Sequence, residues 1–92
     1  MLVLFMEHQS NHFNNHLRKY RRIMGYSQKD VADMLGFTGT SKISRWEKGE
    51  RMPSVKNLLK LSVIYATLPN DLYYDLWQDV KKNIRKKESS KY

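Results

Sequence analysis

Ser27-Gln28-Lys29-Asp30-Val31-Ala32-Asp33-Met34-Leu35-Gly36, followed by Lys42-Ile43-Ser44-Arg45-Trp46-Glu47-Lys48-Gly49, reads as two short helices joined by a tight turn. Ser27 is a good N-cap, and Asp30, three residues later, stands where a capping box closes and a carboxylate suits the helix dipole. Val31, Ala32 and Leu35 then face inward. Ala32 is small, as a side chain must be where another helix crosses closely, and Gly36 lets the first helix end in a left-handed conformation. Ile43 and Trp46, three residues apart, give the second helix a buried face before Gly49 stops it. A pair built this way holds its second helix out from the body of a domain.

The 92 residues fit one domain, since two halves would each be too small to bury a useful core. Lys and Arg number 17 against 9 Asp and Glu, and the formal net charge of +8 favours a polyanion, either nucleic acid or an anionic membrane surface. Charge alone does not choose between these, but a projecting helix does, because the major groove of duplex DNA admits one. The absence of cysteine excludes a disulfide scaffold and cysteine-based zinc fingers, and fits a reducing compartment. The opening Met1-Leu2-Val3-Leu4-Phe5-Met6 is apolar but far shorter than the roughly 20 residues of a membrane-spanning helix. It also lacks the basic start and cleavage site of a secretory signal, so no membrane association and a cytoplasmic location are expected. Its expected role is packing against the domain or against a second subunit.

Along the chain, Phe13, Leu17, Tyr20 and Met24 form the stripe of a first amphipathic helix, with Arg18, Lys19, Arg21 and Arg22 on its other faces and Gly25 at its end. After the helix pair, Pro53-Ser54 starts a fourth helix whose packed stripe is read as Val55, Leu58, Leu59, Ser62 and Tyr65. Leu68-Pro69-Asn70-Asp71 is a breaker, and beyond it Leu72, Leu76, Val80 and Ile84 repeat every four residues, with Tyr73 and Trp77 widening the face. The expectation is an all-α chain of five helices: an N-terminal extension over 1–12, a domain with an extended last helix over 13–88, and a frayed tail over 89–92.

Leu17-Arg18 to Arg21, Gly25-Tyr26-Ser27-Gln28, Val31-Ala32, Leu35-Gly36, Ile43-Ser44-Arg45-Trp46-Glu47-Lys48-Gly49 and Pro53-Ser54 together resemble the phage-repressor and Cro type of helix-turn-helix domain, over roughly residues 13 to 73. The resemblance implies a compact five-helix, lambda-repressor-like domain that binds operator DNA, commonly as a symmetric dimer. It implies that Gln28 caps the first helix of the pair onto a phosphate and helps support the recognition helix, which would contain Ile43. It also supplies Arg21 as the partner of Glu47, a carboxylate that would otherwise repel phosphate. Such a bidentate pair would tie the first helix to the end of the third.

One departure concerns the turn. Six residues, Phe37 to Lys42, separate Gly36 from Ile43 where the family usually has five, and Gly39 is expected to absorb the extra one. Counting back from Ile43 puts Thr40, Ser41 and Lys42 at the exposed start of the third helix, and Arg45 a half-turn beyond Ile43. Arg45 suits a bidentate contact with guanine, and the hydroxyls of Thr40 and Ser41 suit phosphate or base edges. Lys42, Lys48 and Arg51 read as phosphate contacts flanking the groove.

Other constellations carry less. His8, His12 and His16 would share one face of a helix, but their polar surroundings make a plain surface the better reading than a metal site. Lys81, Lys82, Arg85, Lys86 and Lys87 suit the end of a helix dipole, with a non-specific grip on DNA as the alternative. The sequence offers no nucleophile elbow, phosphate loop or metal set, so neither an enzyme nor a cofactor is expected. The reading is a homodimeric, sequence-specific, double-stranded DNA-binding transcriptional regulator of a bacterium, phage or mobile element, more a repressor than an activator. The alternative is an antitoxin or adaptor that holds a protein partner on its Met1 to Met6 run or its Leu72, Trp77 and Ile84 face and autoregulates through the same domain.

Overall fold

The computed structural model describes residues 13–91. Among them are six helices and no strand: α1 Leu17–Ile23, α2 Gln28–Leu35, α3 Ser41–Glu47, α4 Val55–Ile64, α5 Pro69–Leu72 and α6 Tyr74–Lys91. His8, His12, Met1 to Met6 and the rest of the expected N-terminal extension lie outside the described residues.

Local chemistry sets most helix ends. At the start of α2 the Asp30 N–H donates to Ser27 Oγ at 3.0 Å and the Ser27 N–H donates to Asp30 Oδ2 at 2.8 Å, so two backbone donors at this terminus are satisfied reciprocally. These bonds to Ser27 hold the Asp30 carboxyl below the ordinary carboxylate range. Gly36 ends α2 with φ +79, and the Phe37 N–H donates back to the Ala32 carbonyl at 2.8 Å. This left-handed exit turns the chain sharply toward α3. The left-handed residue of the turn is thus Gly36; Gly39, expected to take an unusual conformation, has no positive φ.

The helices close on one core of Leu17, Val31, Ala32, Leu35, Ile43, Trp46, Leu61, Tyr65, Leu72 and Tyr73. Burying each large apolar side chain contributes roughly 1.5–3 kcal/mol. Ile43 and Trp46 are how α3 joins this core, and Trp46 meets Phe37 edge to face with ring centroids 5.9 Å apart.

Three sequence expectations need correction. Phe13 does not extend the α1 stripe: it precedes the helix, its side chain is exposed, and its N–H donates to the Gly49 carbonyl at 2.8 Å. The packed face of α4 is Leu58, Leu61, Ser62 and Tyr65, while Val55 is 74% exposed and Leu59 is exposed too. Two overlapping stripes satisfy the helical period here, Val55-Leu59-Val63 and Leu58-Leu61-Ser62-Tyr65, and the one containing the large Tyr65 turns to the core. The last expected helix is two. Pro69 sits in the first turn of α5, where its missing N–H costs nothing, and the Asp71 carboxylate accepts from Thr67 Oγ1 at 3.0 Å. Tyr73, with φ −123 and ψ 50, breaks the path before α6 begins. α6 then runs 18 residues, continuing through 89–91, the residues assigned from sequence to the tail.

Candidate nucleic-acid interface

Helix α3 has two sides of opposite character. Ile43 and Trp46 are buried. Ser41, Lys42, Arg45 and Lys48 are exposed, and the steps 41, 45 and 48 keep three of them on one side of the helix. Thr40 is the half-buried N-cap, and its hydroxyl makes no capping bond to the helix. Lys42 Nζ stands 4.7 Å from the centroid of the Phe37 ring, a cation–π contact that steadies the lysine at the start of α3. Arg51 is exposed just beyond the helix.

Glu47 takes no part in that outer face. Its side chain is only 1% exposed, turned toward α1 and the start of α2. Arg21 meets it bidentately, Nε to Oε2 at 2.6 Å and Nη2 to Oε1 at 3.1 Å, while Arg21 Nη1 donates to the Tyr26 carbonyl at 2.9 Å. Gln28 Nε2 donates to Oε1 at 3.1 Å, and the partly exposed Arg18 reaches the same oxygen at 3.4 Å. Burial pushes the Glu47 carboxyl upward, but the bonds from Arg21 and Gln28, the Arg21 charge and the Arg18 bond outweigh it, and the group stays below the ordinary range. On Arg21 the bond to Glu47 outweighs desolvation and raises the guanidinium pKa, so both partners are ionised across the working range. Nearby Tyr65 is held in its neutral form by burial and by the Glu47 charge.

The consequence is electrostatic as well as structural. The one acid of α3 is neutralised inside the domain, so the outer face carries Lys42, Arg45 and Lys48 with no carboxylate of its own helix among them. Gln28, for which the resemblance implied a phosphate contact and support of the recognition helix, has its amide on Glu47 in this structure.

Two residues that sequence reasoning did not single out complete the support. Asn15 Nδ2 donates to the Trp46 carbonyl at 2.8 Å and to the Phe13 carbonyl at 2.9 Å, and Asn15 Oδ1 accepts from the Leu17 N–H at 3.0 Å. One side chain thereby starts α1 and holds the end of α3. Its signal in the sequence was an asparagine two residues before a helix start, visible only once that start is placed at Leu17 rather than at Phe13. Arg18, which the sequence placed on an outer face of the first helix with no role of its own, is the second, through its contact with Glu47. Beside them Gly49 permits a backbone contact: a Cβ there would lie 2.7 Å from the Phe13 carbonyl oxygen, and the φ of +79 is left-handed.

His16 is the N-cap residue of α1. No group of three or more His, Cys, Asp or Glu among the described residues is arranged to hold a metal ion. No helix of the described residues is long and apolar enough to cross a membrane.

Compared with known families, a helix-turn-helix family model matches residues 17–72, from the first residue of α1 to the last of α5, with α6 beyond it. No curated protein matches the chain.

Proposed function

We propose that this chain, which belongs to the phage-repressor and Cro type of helix-turn-helix family, is a sequence-specific regulator that lays α3 in the major groove of operator DNA. The family is one of DNA-binding regulators, and the groove assignment goes beyond that. The observation that supports it most is the division of α3: the carboxylate of Glu47 is buried on Arg21, Arg18 and Gln28, while Ser41, Lys42, Arg45 and Lys48 remain at the surface.

Arg45 would donate two parallel hydrogen bonds to O6 and N7 of a guanine, worth roughly 1–3 kcal/mol of discrimination. Thr40 and Ser41 would bond phosphate or a base edge, and Lys42, Lys48 and Arg51 would grip the backbone on either side. Gln28 would lie between both tasks, its amide bracing Glu47 at the edge nearest the phosphates. A single short helix buries little, so two copies on half-sites about 34 Å apart are the expected route to useful affinity. Occupying an operator most readily blocks polymerase, hence repression.

Selection of bound sites from a random duplex pool tests this reading. A two-fold symmetric consensus is the expected result; equal affinity for every duplex would contradict it and leave a basic helical adaptor. The antitoxin or adaptor reading shares the same DNA-binding face. The observation in its favour is the apolar surface left open beside α6.

A further inference from the structure

The first turns of α6 form one wall of an apolar groove of about 560 Å³, lined by Met52, Leu58, Tyr73, Leu76, Trp77 and Val80 among others. Of these, Met52, Leu76, Trp77 and Val80 are exposed, so four large apolar side chains gather at one place on the surface. Tyr73 in the same wall is 4% exposed, and its hydroxyl has no hydrogen-bond partner among the described residues. A buried polar atom ordinarily has one. Neither the proposed DNA face nor the contacts that support it use these residues.

The described chain begins beside this groove. The Phe13 N–H donates to the Gly49 carbonyl and the His16 N–H to the Leu72 carbonyl, both at 2.8 Å. Gly49 stands three positions before Met52, and Leu72 is the neighbour of Tyr73. Ahead of Phe13 come the polar residues Glu7 to His12 and, before them, the apolar run of residues 1–6. The seven steps from Phe13 back to Met6 span about 23 Å when extended, whereas the three from Gly49 to Met52 span at most about 11 Å. The run therefore reaches the groove whichever way the linker leaves Phe13. We infer that the occupant of the groove is this chain's own N-terminal run, residues 1–6, laid back over Met52 and α6. Tethering favours it over a free molecule: a short linker holds the run at an effective concentration of millimolar order, and no translational freedom is surrendered on docking. Charge agrees, because Lys81 Nζ stands 5.0 Å from the centroid of the Trp77 ring in the groove wall, and Glu7 is the first charged residue after the run. Docking of this kind needs neither DNA nor a second copy. It also sets residues 1–6 in competition with any protein partner for the same surface, so that a partner must displace them.

The chain has no cysteine, so Gln9→Cys carries a nitroxide at a single place. In isotope-labelled full chain the nitroxide should broaden the nuclear magnetic resonance signal of the Trp77 indole N–H, and adding Leu4→Asp with Phe5→Asp should restore it. Spin-labelled chain without the isotope, mixed into isotope-labelled chain without the nitroxide, should leave the signal sharp. A sharp signal in the spin-labelled chain itself, or broadening that survives Leu4→Asp with Phe5→Asp, would overturn the inference. Broadening in the mixture would place the run on another copy and overturn it as well. Thermal melts give a second reading. Val80→Asp in the groove, and Leu4→Asp with Phe5→Asp in the run, should each lower Tm with unchanged far-ultraviolet circular dichroism, and all three substitutions together should lower it no further, since one contact is lost only once. Additive losses would put the run elsewhere and contradict the assignment.

Discussion

Glu47 is the residue on which the proposed interface turns. A carboxylate in a helix meant for DNA is harmful if exposed and costly if buried alone, and three donors resolve the conflict by burying it paired. Removing one member of such a pair strands the other. Arg21→Ala should therefore cost about 3 kcal/mol, the lower end for a buried pair because Arg18 and Gln28 remain, and lower Tm by on the order of 15 °C for a domain this small. Lost DNA binding at an unchanged Tm would instead make Arg21 a direct contact. The pH dependence has a definite sign. Because folding holds the Glu47 pKa below its ordinary 4.5, the pair's contribution is fully present above that value and fades as pH falls through the depressed one. Thermal melts should show the gap between the native chain and Glu47→Gln constant above pH 4.5 and narrowing below it.

At the scale of the element, helix ends divide into those the chain states locally and those the fold decides. Ser27 with Asp30, and Gly36, are local signals, and α2 begins and ends where they say. The face of α4 was not legible, because Val55-Leu59-Val63 fits the helical period as well as the stripe that is buried, and only the position of the other helices chooses. The break at Tyr73 was hidden for a related reason: Leu72 and Leu76 continue one stripe in sequence, while in the structure Leu72 is core and Leu76 is exposed. Helix α4 also ends without a glycine. Its terminal bonds, Ala66 N–H to Val63 and Thr67 N–H to Ser62, are those of a Schellman motif, so Ala66 must take φ +51. A side chain there is strained. Ala66→Gly should stabilise the chain by about 0.5–1 kcal/mol, allowing for the entropy glycine loses, and calorimetry should record a Tm higher by a few degrees.

For the whole molecule, the surplus of 17 basic over 9 acidic residues is a statement about partners rather than fold, since it speeds encounter with a polyanion without choosing a sequence. Choice requires a positioned helix, and position comes from afar: Asn15 ahead of α1, Arg21 within it and Gln28 at the start of α2 all terminate on α3. The outer residues of α3 were readable from spacing once Ile43 and Trp46 were taken as its buried side. The Arg21–Glu47 contact entered through family resemblance, and Asn15 signals locally only the start of α1, while its reach across 31 residues to the Trp46 carbonyl left no pattern in the sequence. The family match ends with α5, at Leu72. Helix α6 lies beyond that match.

The Arg45 side chain takes part in none of the supporting contacts on Glu47 or Trp46 and should matter for reading alone. On a duplex taken from the selected consensus, and on the same duplex changed at one base pair at a time, affinities of the native chain and Arg45→Ala compare directly. The native chain should discriminate at one position per half-site by about 5- to 150-fold, the equivalent of 1–3 kcal/mol, and Arg45→Ala should lose that preference at that position alone with Tm unchanged. Arg45→Ala retaining every base preference of the native chain would contradict the placement of α3 in the groove.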